Sequence, residues 1–254
     1  MEEISEQSWI HSFDLKDAEI PEIEEIVSIV PECYHNFLLV FSQKVSEQMP
    51  VRKPWDHPVN LRDDFEPNPG PIYPMNLAEQ DVLAEWIEEQ LAKGYIRPSS
   101  SPQTCPVFFV PKPNNGKRLV IDYGYLNKFT VWDAYPLPLI PELMDMLCNA
   151  RFFTKMDLCW GFYNIHLREG DEWKAAFTTR LGSFEPLVMT MGLTNAPATF
   201  QRMMNEIFRD MIVQRKALFY MDDVLVFSDS LEKLKEYTNE ILCHLSENDL
   251  FVNV

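Results

Sequence analysis

The chain has 254 residues, enough for one large domain or two small ones, and its 46% hydrophobic and 13% aromatic content allows a real core. It holds no apolar run of eighteen residues, which excludes a spanning helix, and its acidic opening, Met1-Glu2-Glu3-Ile4-Ser5-Glu6, reads as neither a signal nor a transit peptide. The formal net charge of −17 argues, taken whole, against a nucleic-acid partner.

The distribution of that charge changes its meaning. Residues 1–90 carry 20 Asp and Glu against 5 Lys and Arg, whereas residues 91–254 carry 19 against 17. Within the second part, Lys112, Lys117, Arg118 and Lys128 face only Asp122, so a local basic patch remains for phosphate. The five cysteines show no CxxC spacing and read as reduced intracellular thiols without a metal framework.

In chain order, residues 1–48 read as an acidic arm with a helical segment. Over 31–45, Tyr34, Phe37, Leu38 and Phe41 share one helical face. Residues 49–75 contain seven prolines and little periodicity, as expected of an extended linker; His57 within it reads as a surface or packing residue. Residues 76–254 are expected to be the folded body. Asn76 and Glu79 make a capping box for a helix whose apolar stripe is Val82, Leu83, Trp86, Ile87 and Leu91, closed by Gly94. Strands are expected over 106–111 and 118–123, joined by an Asn-Gly turn that delivers Lys112, Lys117 and Arg118 to one edge. A helix over 138–149 and a strand over 152–158 come next. Further strands are expected over 164–167, 174–179 and 184–189. Residues 194–212 read as a helix with Pro197 in its first turn. A hairpin over 217–228 and an amphipathic helix over 230–248 complete an α+β pattern, an antiparallel sheet backed by helices.

The hairpin carries the chemistry. Two apolar, β-prone runs flank adjacent carboxylates in Tyr220-Met221-Asp222-Asp223-Val224. Two neighbouring charges buried there need a compensating cation, and hard oxygen ligands suit Mg²⁺ or Mn²⁺. A solvated Asp-Asp turn is the competing reading of the dipeptide alone. Asp157 ends a second apolar strand, Phe152-Phe153-Thr154-Lys155-Met156-Asp157. If the two strands are neighbours, three carboxylates converge at one sheet edge. Two-metal phosphoryl transfer needs such an edge: ions ~3.5–4 Å apart, one activating a 3′-hydroxyl and one steadying pyrophosphate. The basic turn, with Lys112 and Arg118, would then cradle a triphosphate. Sixty-five positions separate Asp157 from Asp222, so spacing alone leaves the convergence open.

In motif order the chain resembles the reverse transcriptases, and in detail those of gypsy-type LTR retrotransposon Pol polyproteins. The resemblance rests on Tyr220-Met221-Asp222-Asp223 preceded by the Asp157 strand and by Gly192-Leu193-Thr194-Asn195-Ala196-Pro197-Ala198-Thr199-Phe200-Gln201. Lys93-Gly94-Tyr95-Ile96-Arg97-Pro98, Arg118-Leu119-Val120-Ile121-Asp122-Tyr123 with Leu126-Asn127, and Tyr135-Pro136-Leu137-Pro138 match as well. It implies a fingers-and-palm polymerase fold, with the thumb lying beyond Val254. It implies RNA-directed DNA polymerase activity, with Asp157, Asp222 and Asp223 holding two Mg²⁺ or Mn²⁺ ions. Arg118, and Lys112 with it, would contact the triphosphate. Phe162 falls where members of the family exclude a 2′-hydroxyl, although core packing would also explain it. Gln201 and Asn195 match the helix behind the incoming nucleotide, and Asn195 could equally be a helix cap. The implied partners are an RNA or DNA template-primer, a dNTP and the rest of a Pol polyprotein (protease, RNase H, integrase). The setting would be a cytoplasmic retroelement particle or the nucleus, with no membrane.

The chain departs from the family pattern at Gly124, where arginine is usual, at Thr190-Met191 and at Trp160-Gly161-Phe162. A decayed or domesticated copy that binds without catalysis is therefore the alternative reading. An RNA-dependent RNA polymerase is a second rival, against which Phe162 counts.

Overall fold

The structure, a computed structural model, describes residues 21–111 and 117–253. It opens with α1 (Pro21–Ile29) and a 3₁₀ segment (Glu32–Phe41) that kinks at Phe37, followed by α2 (Gln43–Ser46). The single helix expected over 31–45 is therefore two short pieces. Ser42 divides them, being extended and accepting the Val45 N–H on its hydroxyl. Tyr34, Phe37 and Phe41 do turn together onto the core.

Residues 49–75 form no helix or strand, yet they are not a free linker. His57 N–H donates to His166 O at 2.7 Å, and Arg168 N–H donates back to His57 O at 2.8 Å. Isolated pairings of Leu61 with Thr130 and of Pro69 with Thr104 continue the seam, and Val59 is buried. Proline removes donors at seven positions, and the N–H groups of His57, Arg62 and Gly70 fasten this strap to the body.

The body begins with α3 (Leu77–Ala92), whose capping box closes with both bonds at 3.0 Å. Its buried stripe is narrower than expected: Leu83 and Ile87 are enclosed and Trp86 partly so, while Val82 and Leu91 face water. Gly94 follows at φ +74°, a left-handed backbone that ends the helix. Then come β1 (Ile96–Pro98), β2 (Cys105–Pro111), β3 (Lys117–Ile121), α4 (Gly124–Phe129), α5 (Ile140–Met146) and β4 (Phe152–Asp157). A 3₁₀ turn (Gly161–Asn164) occupies the start of the expected 164–167 strand. Only isolated pairings, His57 with Leu167 and His166 with Val188, survive of it. A second 3₁₀ turn (Glu172–Ala175) shortens the next strand to β5 (Phe177–Thr179), and β6 is Gly182–Pro186. The helix expected over 194–212 splits into α6 (Ala196–Ile207) and α7 (Arg209–Val213). The break is at Phe208, whose ring is fully buried and stacks on Phe219 at 4.4 Å. The hairpin is β7 (Ala217–Tyr220) with β8 (Asp223–Ser228), and α8 is Leu231–Glu247.

Two sheets result. One is antiparallel throughout, in the order β4-β8-β7, with α8 packed on β4 and β8 and α6 packed on β7. The other has five strands in the order β1-β6-β5-β2-β3 and is mixed, because β2 and β5 run parallel. Met156, Val224 and Val226 line the inner face of the three-stranded sheet, against a core that includes Ile241, Leu242 and Leu245 of α8. Residues 250–253 complete this layer. Val252 pairs with Leu158 and donates its N–H to Val40 O, while Asn253 N–H donates to Asp157 O at 3.0 Å. No helix among the described residues is long and apolar enough to cross a membrane.

Candidate active site

The register of β4 on β8 sets Asp157 directly opposite Asp223, and that of β7 on β8 sets Tyr220 opposite the same residue. Asp222 lies on the two-residue turn between β7 and β8, and its carbonyl accepts the Leu158 N–H at 3.1 Å. The three acidic residues therefore sit at adjoining strand ends, as their positions after apolar runs led one to expect. Their burial differs from expectation. The side chains of Asp157 and Asp223 are 55% and 54% exposed, and Asp222 is exposed too. The apolar residues beside them (Met156, Val224) alternate to the opposite face, so the carboxylates project from the open side of the sheet.

A cation already sits between two of them. Lys155 Nζ lies 3.1 Å from Asp157 Oδ1 and 3.0 Å from Asp223 Oδ1. The Asp223 carboxyl is held below its ordinary range, first by this lysine, although partial burial pulls the other way. The lysine's own value is raised, chiefly by Asp223 and then by Asp157. Among the described residues no three His, Cys, Asp or Glu side chains are gathered into a ready metal cage. The donor chemistry nonetheless fits a hard divalent cation: three carboxylates and a local negative charge that draws in an ammonium.

Several buried groups aim this edge. Met221 adopts φ +54°, unusual for a side-chain-bearing residue. The turn is held by Gln201, whose Oε1 accepts the Met221 N–H at 2.9 Å while its Nε2 donates to Phe219 O at 3.2 Å and Asn205 Oδ1 at 2.9 Å. Gln201 is completely buried, and its amide is a strut under the turn. A polar residue inside the buried face of α6, among Thr199, Phe200 and Met203, is the sequence signal that could have marked it. Asn195 stands at the N-cap position of α6 without a side-chain cap. Its amide instead clamps the segment that follows α4, donating to Val131 O at 2.8 Å and accepting from Asp133 N–H at 3.0 Å. Asn127 does the same for the approach to α6, bonding Gly192 O and the Thr194 N–H.

Phe162 lies in the 3₁₀ turn after β4 and meets Phe200 edge-on, ring centroids 5.7 Å apart. It is half-buried, so packing and an exposed edge coexist. Gly161 beside it packs closely on the site: a Cβ there would stand in van der Waals contact, 3.4 Å from Asp222 Cβ and 3.5 Å from Phe200. Arg118, on exposed β3, reaches Met191 Sδ at 3.9 Å, over the segment that leads into α6. Lys112 lies outside the described residues. At Gly124, where the family pattern has arginine, the Asp122 carboxylate is satisfied by other groups, the Gly124 N–H at 2.9 Å and the Tyr73 hydroxyl at 3.1 Å.

Comparison with known proteins bears on this geometry. The family described as "Reverse transcriptase (RNA-dependent DNA polymerase)" matches residues 110–254, more than half of the chain. The "Retrovirus-related Pol polyprotein from transposon opus" of Drosophila melanogaster is 41% identical over 187 residues, covering 72% of this chain and 18% of that polyprotein. The "Transposon Tf2-3 polyprotein" of Schizosaccharomyces pombe is 34% identical over 225 residues, covering 88% of this chain and 17% of its own length. The chain thus spans less than a fifth of these relatives. Among solved structures, prototype foamy virus protease-reverse transcriptase superposes with a TM-score of 0.77 at 22% identity, over 93% of this chain and 33% of that one. The foamy viral enzyme in complex with an RNA/DNA hybrid gives 0.74 at 20% identity, over 93% and 31%. At that identity the likeness is one of fold: the described sheets and helices are the fingers and palm.

Proposed function

This chain belongs to the reverse transcriptase (RNA-dependent DNA polymerase) family, and on that premise we propose that it is the fingers and palm of a retrotransposon RNA-directed DNA polymerase. One observation carries the reading: Asp157 and Asp223 face each other across the β4–β8 ladder with Asp222 on the adjoining turn. Asp157, Asp222 and Asp223 are the residues that would hold divalent cations, Mg²⁺ or Mn²⁺ and two of them in the finer reading. Such ions supply Lewis-acid activation of a primer 3′-hydroxyl and charge neutralisation at the leaving pyrophosphate.

The chain's own residues do the rest. Gln201 and Leu158 fix the turn that carries Asp222. Phe162, braced by Phe200, gives the sugar of an incoming dNTP an aromatic wall that leaves no room for a 2′-hydroxyl. Arg118, with Lys112, neutralises the triphosphate from the fingers side. The template-primer, RNA or DNA, lies along the open face of the three-stranded sheet. The remaining Pol activities (protease, RNase H, integrase) accompany it in the same polyprotein, in a cytoplasmic particle.

The test is dNTP incorporation on a primed homopolymer RNA with Mg²⁺ or Mn²⁺. The wild type extends the primer, and Asp222→Asn loses at least ~10²-fold in rate while keeping its circular dichroism. Equal extension by the two proteins would remove the site assignment. A wild type that binds hybrid but never extends it would return the chain to a binding module.

A further inference from the structure

The open face of the palm sheet carries its own cation, and that cation occupies contested ground. Strand alternation puts Lys155 on the same face as Asp157, and Asp157 faces Asp223 across the ladder. The two ammonium contacts, 3.1 and 3.0 Å, go to one oxygen on each of two neighbouring strands. Like charges directly opposite each other in a ladder push the strands apart, so Lys155 neutralises a pair that the register forces together. A divalent cation bound by these carboxylates would need the same oxygens. Lysine is suited to yield them, because its ammonium is a point charge on a flexible stem and here it is 62% exposed.

We propose that Lys155 is a resident counter-ion of this site: it holds Asp157 and Asp223 together before a divalent cation arrives, and the cation binds by displacing it. The inference rests on the reading of the three carboxylates as metal ligands. In the exchange a monovalent side chain leaves and a divalent ion enters, so the edge loses a tether and gains charge. Lys155 therefore lowers the affinity of the free protein for the ion, and it acts as a positioning residue with no part in bond making.

The experiment is a Mn²⁺ titration of the full chain, following the electron paramagnetic resonance of free ion, with melting curves alongside. Lys155→Met is expected to bind Mn²⁺ on the order of tenfold more tightly, since two exposed ion pairs no longer have to be broken. Lys155→Arg, which keeps the cation, is expected to bind as the wild type does, and Lys155→Gln is a second neutral variant. In chelator Lys155→Met melts below the wild type, and Mn²⁺ raises its melting temperature by more. The double variant Asp157→Asn, Asp223→Asn separates the two ideas. If Lys155→Met and Lys155→Gln bind Mn²⁺ no more tightly than the wild type while the double variant loses binding, the counter-ion proposal is overturned and the metal reading stands. If no variant binds more than the double variant, the metal reading falls and the proposal with it.

Discussion

At the scale of single residues, the site depends on buried groups that hold its backbone. Gln201 is the clearest case, because both ends of its amide are committed beneath the Met221 turn. Gln201→Leu would leave the Met221 N–H without its partner, at a cost of ~1–3 kcal/mol. The expected result is a lower denaturant midpoint together with slower primer extension. An unchanged midpoint would show that the turn holds itself. Phe162 carries a different expectation. Phe162→Val opens space beside the sugar, so the ratio of kcat/KM for ribonucleotide over deoxyribonucleotide should rise roughly 10-fold or more. A ratio that stays put leaves Phe162 as Phe200's packing partner. Both residues stand out in the sequence, Gln201 within the run that matches the family and Phe162 at a departure from it. The buried face of α6 marks Gln201 as a polar residue in the core, but its partners on β7 and the turn lie too far along the chain for a local pattern to name them. Lys155 was quoted within the Asp157 strand without a role, although alternation alone places it on the face of Asp157.

Among elements, the strap over 49–75 departs most from what its composition suggests. Seven prolines read as linker because proline abolishes ladder donors, but the remaining residues keep theirs and can still fasten the chain. His57 is such a fastening. It is 2% exposed and its Nδ1 lies 2.8 Å from Thr199 Oγ1 on α6. Burial lowers its pKa from 6.5 to about 4, although Asp171 pulls the other way. The folded ring therefore stays neutral while the unfolded ring takes a proton below pH 6.5. This contribution to stability is whole above pH 6.5, shrinks as the pH falls, and is fully lost below about 4. It amounts to about 3 kcal/mol. Urea midpoints between pH 7 and 4 should fall more steeply for the wild type than for His57→Gln; parallel curves would refute the assignment. The expected positions of α3, β2, β3, β4, β7, β8 and α8 were legible because caps, turns and periodicity agree there. The 3₁₀ turns were not, because Tyr163, Ile165 and Leu167 alternate like a strand while pairing only at isolated points.

For the whole molecule, the packing of the N-terminal segment matters more than its charge. α1 packs on the 3₁₀ segment, and that segment packs on α8, with Ile26, Val30 and Val40 buried. Removing residues 1–48 should lower the melting temperature by at least roughly 10 °C, since each buried side chain is worth ~1.5–3 kcal/mol. An unchanged melting temperature would make the segment an appendage after all. The carbonyl of Val40 receives the N–H of Val252, and Val252 in turn lies against Leu158, beside Asp157. The strand end bearing the first carboxylate is thus bounded by a segment that follows it in the chain, which is held in turn by a segment that precedes it. On the ribosome, β4 emerges long before the residues that brace it, and domains fold as units during synthesis. A nascent chain arrested with residue 245 at the tunnel exit should leave β4 open to protease, and one released past residue 253 should close it. The order of translation then becomes a safeguard: the carboxylate edge closes only once residues 252–253 have followed it out of the ribosome.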